Sequence, residues 1–230
     1  MPRIFAGHAL FASLVGVGLR EQKKEATRAA LSWAAIRLIV ERGYDRVLVE
    51  DVAAAAGVSP RTFNNYFGSK AEAVAFRHLN RCLRVADVLR ERPAEEPLWT
   101  AIAQAVIAQF VPGPEVIASP MTEPQAWAAG LRLMVAVPAI QAEALRASST
   151  AESALAEAVA ERTGTDPRTD IYPRLVAAAV LAASNVATQV FLAGRNTPDP
   201  AAVQGLLLDA LHQLEAGLPP PAPAPAPGNA

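Results

Sequence analysis

The chain is poor in the residues that build disulfides and metal sites. Its 230 residues include one cysteine, Cys82, and three histidines, His8, His78 and His212. A single cysteine excludes an intrachain disulfide and a cysteine-based metal site, and it fits a reduced, cytoplasmic setting; we interpret Cys82 as a packing residue rather than a redox sensor. The histidines have no metal-ligand spacing, and no nucleophile accompanies a base and an orienting residue. We therefore expect no catalytic residue, no metal and no cofactor.

Long strand-forming segments are also lacking. Aromatic residues make up only 6% of the chain, β-branched residues form short runs, and no segment alternates apolar and polar residues for long. Hydrophobic residues make up 52% of the chain, which supplies an ample core. The composition therefore predicts a compact, soluble, all-α protein.

A strong charge of one sign is absent overall, since the formal net charge is −1. This balance hides an asymmetry: residues 1–84 hold 13 Lys and Arg against 7 Asp and Glu, a net +6, whereas residues 85–230 hold 8 against 15, a net −7. The total argues against a general polyanion binder, but a local basic face can contact a nucleic-acid backbone. We expect the acidic half to face away from DNA.

The segment from Val49 to Lys70 has the pattern of a helix-turn-helix. In its first helix, Val49 and Val52 belong to an inward face at helical spacing, and Gly57 suits a left-handed turn. A second helix begins at once, because Ser59 is a strong N-cap and Pro60 is preset for the first helical position. Two short helices around a tight turn are therefore predicted.

The second helix, from Arg61 to Phe67, separates its residues by face. Phe63 and Phe67, four residues apart, form an apolar stripe that predicts packing. The outward donors and acceptors are Arg61, Thr62, Asn64, Asn65 and Tyr66. Arginine suits guanine, asparagine suits adenine and threonine suits thymine, so this surface has the chemistry of major-groove readout. Tyr66 fits a phosphate contact better than a base contact.

Lys70 is a further candidate for phosphate contact. Ser69 and Glu72 form the pattern of a capping box, in which the serine caps the next helix and the glutamate reaches back. Lys70 would then lie at a helix N-terminus, a position that favours phosphate.

These residues resemble the DNA-binding domain of the TetR (tetracycline repressor) family of bacterial transcription regulators. The match covers roughly residues 24–75, in order and without gaps. Its elements are Glu41-Arg42-Gly43-Tyr44, Val49-Glu50-Asp51-Val52-Ala53, Ala56-Gly57-Val58-Ser59, Thr62-Phe63-Asn64-Asn65-Tyr66-Phe67 and Ser69-Lys70. The resemblance implies a homodimer with recognition helices in adjacent major grooves, and an all-helical C-terminal domain that dimerises and binds a small molecule. It also implies that Lys24 and Thr27, in the first helix, contact flanking phosphates, although a solvated face explains them equally well.

Two positions depart from the family pattern. Leu48 stands where the family usually places a capping threonine, and it cannot cap, which is expected to cost ~1 kcal/mol of helix stability. Asn64 replaces the aromatic or bulky residue of many relatives, so the operator sequence cannot be borrowed from them.

The sequence divides into four parts. We expect a disordered leader at 1–19, the helix-turn-helix domain at 20–70, the ligand-binding and dimerisation domain at 71–217, and a disordered Pro/Ala tail at 218–230. The apolar run near the N-terminus is too short to span a bilayer and leads into a charged helix, so we reject a signal peptide. One hypothesis is that translation begins near Val15 or Val17.

Helical periodicity and proline breaks predict the remaining elements. The predicted helices cover residues 21–42, 69–92, 98–111, 125–137, 139–162, 169–195 and 200–216. The family resemblance implies that the last two form a four-helix dimer interface, and their alanine-rich faces would allow close approach. An internal core helix is the alternative interpretation. The family resemblance implies that the helix over residues 69–92 transmits ligand binding to the DNA-binding domain.

The candidate ligand contacts are large or polar residues within otherwise small, aliphatic helices. They are Trp99, Phe110, Trp127, Met134, Asn185, Gln189 and Phe191. Charges are sparse in residues 101–110 and 175–193, which predicts a largely apolar effector such as a lipid-like, acyl or aromatic molecule.

The sequence thus predicts a homodimeric regulator that binds a palindromic operator in double-stranded DNA and releases it when an effector binds. We interpret the regulator as a repressor, and an activator or dual regulator of the same fold is the alternative interpretation. A helical enzyme or small-molecule-binding protein with a vestigial helix-turn-helix is the competing class. No membrane partner is expected.

Overall fold

The computed structural model describes three stretches of the chain, which are almost entirely helical. The backbone is described for residues 6–109, 124–194 and 200–219, and the side chains for residues 22–109, 130–194 and 201–219. The helices are α1 (Ala6–Arg42), α2 (Val49–Ala55), α3 (Pro60–Asn64), α4 (Lys70–Glu91), α5 (Leu98–Ala108), α6 (Pro124–Ala136), α7 (Pro138–Thr163), α8 (Ile171–Ala193) and α9 (Pro200–Glu215). These stretches contain no strand, which confirms the all-α fold.

Helix α1 begins earlier than the sequence predicted. The prediction placed its start at Glu21, after a disordered leader over residues 1–19, whereas the structure extends the helix back to Ala6. The segment from 6 to 20 is rich in alanine and leucine and has no proline, and its glycines weaken a helix without ending it. Residues 1–5 and the tail from 220 onward lie outside the described residues.

The end of α1 agrees with the sequence. Gly43 has φ +87°, a conformation that favours glycine, and its N–H donates to the carbonyl oxygen of Ile39 at 2.8 Å. A single 3-10 turn, Tyr44–Arg46, then leads to α2.

Helix α2 is closed at both ends by local hydrogen bonds. At its start the Asp51 carboxylate accepts the N–H of Leu48 at 2.9 Å, although the Leu48 side chain has no polar atom to return a bond. At its end Gly57 has φ +70°, and the N–H of Val58 donates to the carbonyl of Ala53 at 3.0 Å, as in a Schellman motif. The predicted turn is confirmed.

The contacts divide the chain into two compact units. Unit 1 comprises residues 1–82 and 111–150, and unit 2 comprises residues 83–110 and 151–230. This division differs from the predicted boundary between residues 70 and 71. The reason is burial, because Val74 and Phe76 of α4 and Ile140 of α7 belong to the same core as the helix-turn-helix.

The core of unit 1 joins residues that are distant in sequence. Its large buried members are Leu31, Ile36, Leu38, Ile39, Val47, Val52, Phe63, Phe67, Val74, Phe76 and Ile140. The partly buried residues Leu133, Met134 and Val137 pack against them from α6 and the short connection to α7. A segment of the C-terminal half thus completes the core that supports the predicted DNA-binding helices.

Unit 2 has a core of small and aliphatic side chains. Its buried members include Leu89, Ile102, Val106, Leu155, Val159, Val176, Val180, Leu207 and Leu211. At the connection that follows α4, the Arg162 guanidinium donates to the carbonyl oxygens of Arg92 and Glu96 at 3.3 and 2.6 Å. These bonds satisfy partly buried backbone carbonyls of the connection at the predicted proline break.

Helix α8 has one buried and one exposed apolar face. Val180 and Phe191 are buried within unit 2, whereas Leu175, Val186 and Val190 are exposed. Within the described stretches α8 alone is long and apolar enough to cross a membrane, but the core helix of a soluble protein passes the same test. The two-faced pattern is typical of a helix that packs on a second partner.

We expect Leu48→Thr to raise the free energy of unfolding by about 1 kcal/mol. A threonine hydroxyl can accept an N–H of the first turn of α2, completing the capping box that Asp51 already half supplies. The measurement is the midpoint of urea unfolding. Leu48→Ala is the matched control, because the Leu48 side chain is 60% exposed and loses little packing; equal midpoints for the two variants would contradict the capping argument.

Candidate nucleic-acid interface

Helix α3 begins as the sequence predicts. The Ser59 Oγ accepts the N–H of Thr62 at 3.1 Å, and Pro60 occupies the first helical position. The Thr62 hydroxyl lies 2.9 Å from the Ser59 hydroxyl, so it takes part in the cap. The helix ends at Asn64 rather than Phe67, and Asn65 follows as its C-cap residue.

Two phenylalanines hold this segment to unit 1. Phe63 and Phe67 are buried, with ring centroids 5.8 Å apart, and Phe67 meets Phe76 of α4 edge-on at 5.5 Å. The Arg28 guanidinium of α1 lies 4.5 Å from the Phe76 centroid, a distance suited to a cation–π contact. The predicted packing face is therefore confirmed, and it fixes which side chains point outward.

The opposite surface carries the predicted reading residues. Arg61, Asn64 and Asn65 are exposed, whereas Thr62 and Tyr66 are partly buried. Tyr66 packs against the unit 1 core. The structure thus leaves three polar side chains exposed to solvent, and their contacts with bases stay a prediction.

Lys70 has a structural role that the sequence did not reveal. Its Nζ donates to the carbonyl oxygens of Tyr44 and Val47 at 2.6 and 2.7 Å and lies 4.1 Å from the centroid of the Tyr44 ring. A lysine ammonium has three N–H donors, so one is left for a phosphate. Lys70 therefore stabilises the connection between α1 and α2, and its third N–H is the one left for a DNA contact.

The capping box at the start of α4 is shifted by one residue. Ser69 caps as predicted, since its Oγ accepts the N–H of Glu72 at 3.0 Å. The Glu72 carboxylate instead accepts the N–H of Gly68 at 2.6 Å, one residue before the expected partner.

The two candidates in α1 differ in their surroundings. Lys24 is exposed, and Thr27 is partly buried with its hydroxyl donating to the carbonyl of Lys23 at 2.9 Å within the helix. Their predicted phosphate contacts stay predictions.

Comparison with known proteins agrees with this geometry. Residues 33–74 match the model of the tetR family of bacterial regulatory proteins, and residues 96–219 match the MftR C-terminal domain. The chain is 33% identical over 180 residues to the HTH-type transcriptional regulator TcmR of Streptomyces glaucescens, covering 76% of each chain. It belongs to the TetR family. The members of this family are DNA-binding transcription regulators, which confirms the resemblance seen in the sequence.

Solved structures of two other regulators are also similar. One is a regulator from Rhodococcus sp., with 23% identity, a TM-score of 0.49, and 82% of this chain and 97% of that chain covered. Another is the fatty acid degradation regulator FadR from Bacillus halodurans, with 16% identity, a TM-score of 0.49, and 84% and 96% covered.

The candidate ligand contacts of this TetR-family chain lie in different surroundings. Phe110 and the Trp127 side chain lie outside what the structure describes. Trp99 packs on the unit 2 core and Phe191 is buried, whereas Met134 packs on the unit 1 core. Asn185 and Gln189 are exposed on α8, 3.4 Å apart. The described members therefore belong to two different units, and Asn185 and Gln189 share the exposed side of α8 with Val186 and Val190.

The sequence interpretation missed a polar cluster inside unit 1. His78 Nε2 lies 3.1 Å from the Ser148 hydroxyl, and Cys82 Sγ lies 3.7 Å from the same ring nitrogen. Burial, followed by the nearby Arg81, lowers the pKa of His78 to about 4, and burial raises the pKa of Cys82 to about 11. Both groups are therefore neutral near pH 7, which suits a packing role for Cys82. The spacing of His78 and Cys82, one helical turn apart, was the available signal.

Among the residues whose side chains are described, no three His, Cys, Asp or Glu groups gather closely enough to hold a metal ion.

Lys70→Met is expected to lower the free energy of unfolding by about 1–3 kcal/mol, because two partly buried carbonyls lose a charged donor. Urea unfolding measures the change. Arg61→Ala is the counterpart: Arg61 is exposed, so this variant should keep the wild-type midpoint. An unchanged midpoint for Lys70→Met, together with a salt slope of DNA binding reduced by about one unit, would instead assign Lys70 to a phosphate.

Proposed function

We propose that this TetR-family chain is a cytoplasmic homodimeric repressor without catalytic activity. It binds a palindromic operator through α3 of each subunit and releases the DNA when a small, largely apolar molecule occupies its C-terminal half. The observation that carries this proposal is the exposed polar surface of Arg61, Asn64 and Asn65, held in place by the buried rings of Phe63 and Phe67.

The chemistry of this surface suits duplex DNA. Arginine can bind a guanine edge with two hydrogen bonds, and asparagine can do the same with adenine. The excess of positive charge in residues 1–84 adds attraction for phosphates. A twofold dimer would place its two reading helices about 34 Å apart, one turn of the double helix.

The exposed face of α8 supports dimerisation. Leu175, Ala179, Ala182, Val186 and Val190 follow one another at intervals of three or four residues, so they form one stripe along the helix. Val186 and Val190 are 55% and 52% exposed in the single chain. A second copy of α8 would remove this apolar surface from water, and the two alanines allow close approach.

Ligand control requires only a modest energy. An effector that prefers the DNA-incompetent state by about 1–3 kcal/mol changes operator affinity by about 5- to 150-fold. Helix α4 is the suggested lever, because it is continuous from the unit 1 core at Val74 to the unit 2 core at Leu89.

The decisive experiment selects bound duplexes from a random DNA pool with the purified full-length protein at low ionic strength. We expect a palindrome whose half-sites lie one helical turn apart. Failure to enrich any duplex would contradict the proposal. If an operator is selected, reporter expression from it in a deletion strain separates repression from activation.

On the selected operator, Asn65→Ala should cost about 1–3 kcal/mol of binding, chiefly at one base-pair position. Fluorescence anisotropy with single-base operator variants measures this loss position by position. Arg168→Ala, in an exposed connection of unit 2, is the control and should bind every operator as wild type does. A uniform loss over all positions would exclude base readout by Asn65.

Val186→Asp should convert the dimer to a monomer, because it would bury two carboxylates against each other across the twofold axis. Light scattering after size exclusion gives the mass. Leu145→Asp changes another exposed apolar residue, on α7, and should leave the dimer intact. A dimeric Val186→Asp variant would refute the role of the α8 stripe.

A further inference from the structure

We propose that Arg28 is a positioning residue for operator reading. Its guanidinium packs over the rings of Phe67 and Phe76 and holds the end of the reading segment in place without contacting DNA. This inference rests on the proposed reading of an operator by α3 and adds a residue of α1 to it. It starts from the three elements of unit 1 that meet at Arg28: α1, the turn that follows α3, and α4.

The segment that carries the reading asparagines is held by a ring at each end. Asn64 and Asn65 follow Phe63 directly, and the N–H of Phe67 then donates to the carbonyl oxygen of Phe63 at 2.9 Å. Both rings are buried. Phe63 belongs to α3 itself, whereas Phe67 lies beyond the end of this helix. A shift of the Phe67 ring therefore moves the backbone that carries the two asparagines.

Arg28 contacts the second of these rings and its neighbour on α4. The Arg28 Cζ lies 5.7 Å from the Phe67 centroid and 4.5 Å from the Phe76 centroid. Both distances are within the ~6 Å range of cation–π attraction. The two rings meet edge-on at 5.5 Å, so one cation contacts both members of the pair. Arg28 thus links the turn after α3 to α4 in addition to the packing of the rings.

The surroundings of Arg28 make the rings its main partners. The Arg28 side chain is 31% exposed, so water screens its charge only in part. Its ion pair with Glu25, one turn earlier in α1, is long at 3.7 Å, and the Glu25 side chain is 49% exposed. Exposed ion pairs contribute little, whereas cation–π attraction grows when the cation is partly removed from water.

Arg28 differs from Lys24, the candidate phosphate contact one turn earlier in α1. Lys24 is exposed, whereas Arg28 lies over two buried rings. A phosphate contact adds salt-dependent affinity for any duplex, because every duplex has the same backbone. A residue that positions base-reading side chains affects the operator and leaves binding to other duplexes unchanged. Experiment can therefore separate the two roles.

The test measures binding to the selected operator by fluorescence anisotropy, with the purified full-length protein at several salt concentrations. Arg28→Met should weaken operator binding about 2- to 30-fold, the range that corresponds to one cation–π contact. The salt slope and the affinity for an unrelated duplex of the same length should stay as in the wild type, since no phosphate contact is lost. Arg28→Lys keeps a cation and should recover part of the loss.

Fluorinated phenylalanine in place of Phe76 tests the cation–π contact itself. Fluorine withdraws electron density from the ring face and changes the shape of the ring little, so the attraction for a cation weakens. Operator affinity should therefore fall from phenylalanine to monofluorophenylalanine and again to trifluorophenylalanine. In Arg28→Met the same series should have no effect. A role of the ring in packing alone would give the same series with and without Arg28.

Arg37→Met is the matched control, because it removes an exposed arginine of the same helix and should bind the operator as wild type does. Circular dichroism checks that each variant is folded. If Arg28→Met is not folded, Arg28→Lys and the fluorinated series in the otherwise wild-type protein decide. Unaltered operator affinity in Arg28→Met, a salt slope reduced by about one unit, or a fluorinated series without effect in the wild type would overturn the proposal.

The selection of an operator separates this inference from the proposed function. If no duplex is selected, both are contradicted. If an operator is selected and Arg28→Met binds it with wild-type affinity, only the positioning role of Arg28 is contradicted, and operator reading by α3 stands.

Discussion

The burial of Phe63 and Phe67 is the interaction on which the rest of unit 1 depends. These rings take up one side of α3 and the turn that follows, and they pack in the same core as α1, α2 and α4. A helix as short as α3 is not stable alone, so its orientation comes from this contact and from the Ser59 cap. Because the two phenylalanine rings are buried in the core, the polar residues of this segment face outward.

The same core links a distant part of the chain to helix α3 and its exposed polar surface. Ile140 has no exposed surface and lies in the core that holds Phe63, and Met134 packs on this core from α6. Protein cores are close-packed, so a displacement of these side chains must be accommodated by their neighbours. A ligand that moves α6 or α7 would therefore bias α3 without touching it.

The sequence was sufficient for local structure and insufficient for long-range contacts. Helical periodicity, the Gly43 and Gly57 turns and the Ser59 cap depend on neighbours in the chain, and the structure has them as predicted. The bonds from Lys70 to Tyr44 and from His78 to Ser148 join residues 26 and 70 positions apart, and no local pattern signals them. The unit boundary differed for the same reason, because Ile140 packs with residues that precede it by about a hundred positions.

Lys70 and the cluster of His78, Cys82 and Ser148 show how the surroundings of a polar group decide its charge and its role. The Lys70 ammonium is satisfied by two backbone carbonyls and the Tyr44 ring, so its charge stabilises the fold. His78, Cys82 and Ser148 instead bond to one another, and burial keeps the imidazole and the thiol neutral near pH 7 because it lowers the pKa of His78 and raises the pKa of Cys82. A charged group is thus kept in the partly buried part of α4 only where backbone carbonyls accept its hydrogen bonds, and the polar groups without such acceptors are buried in their neutral forms.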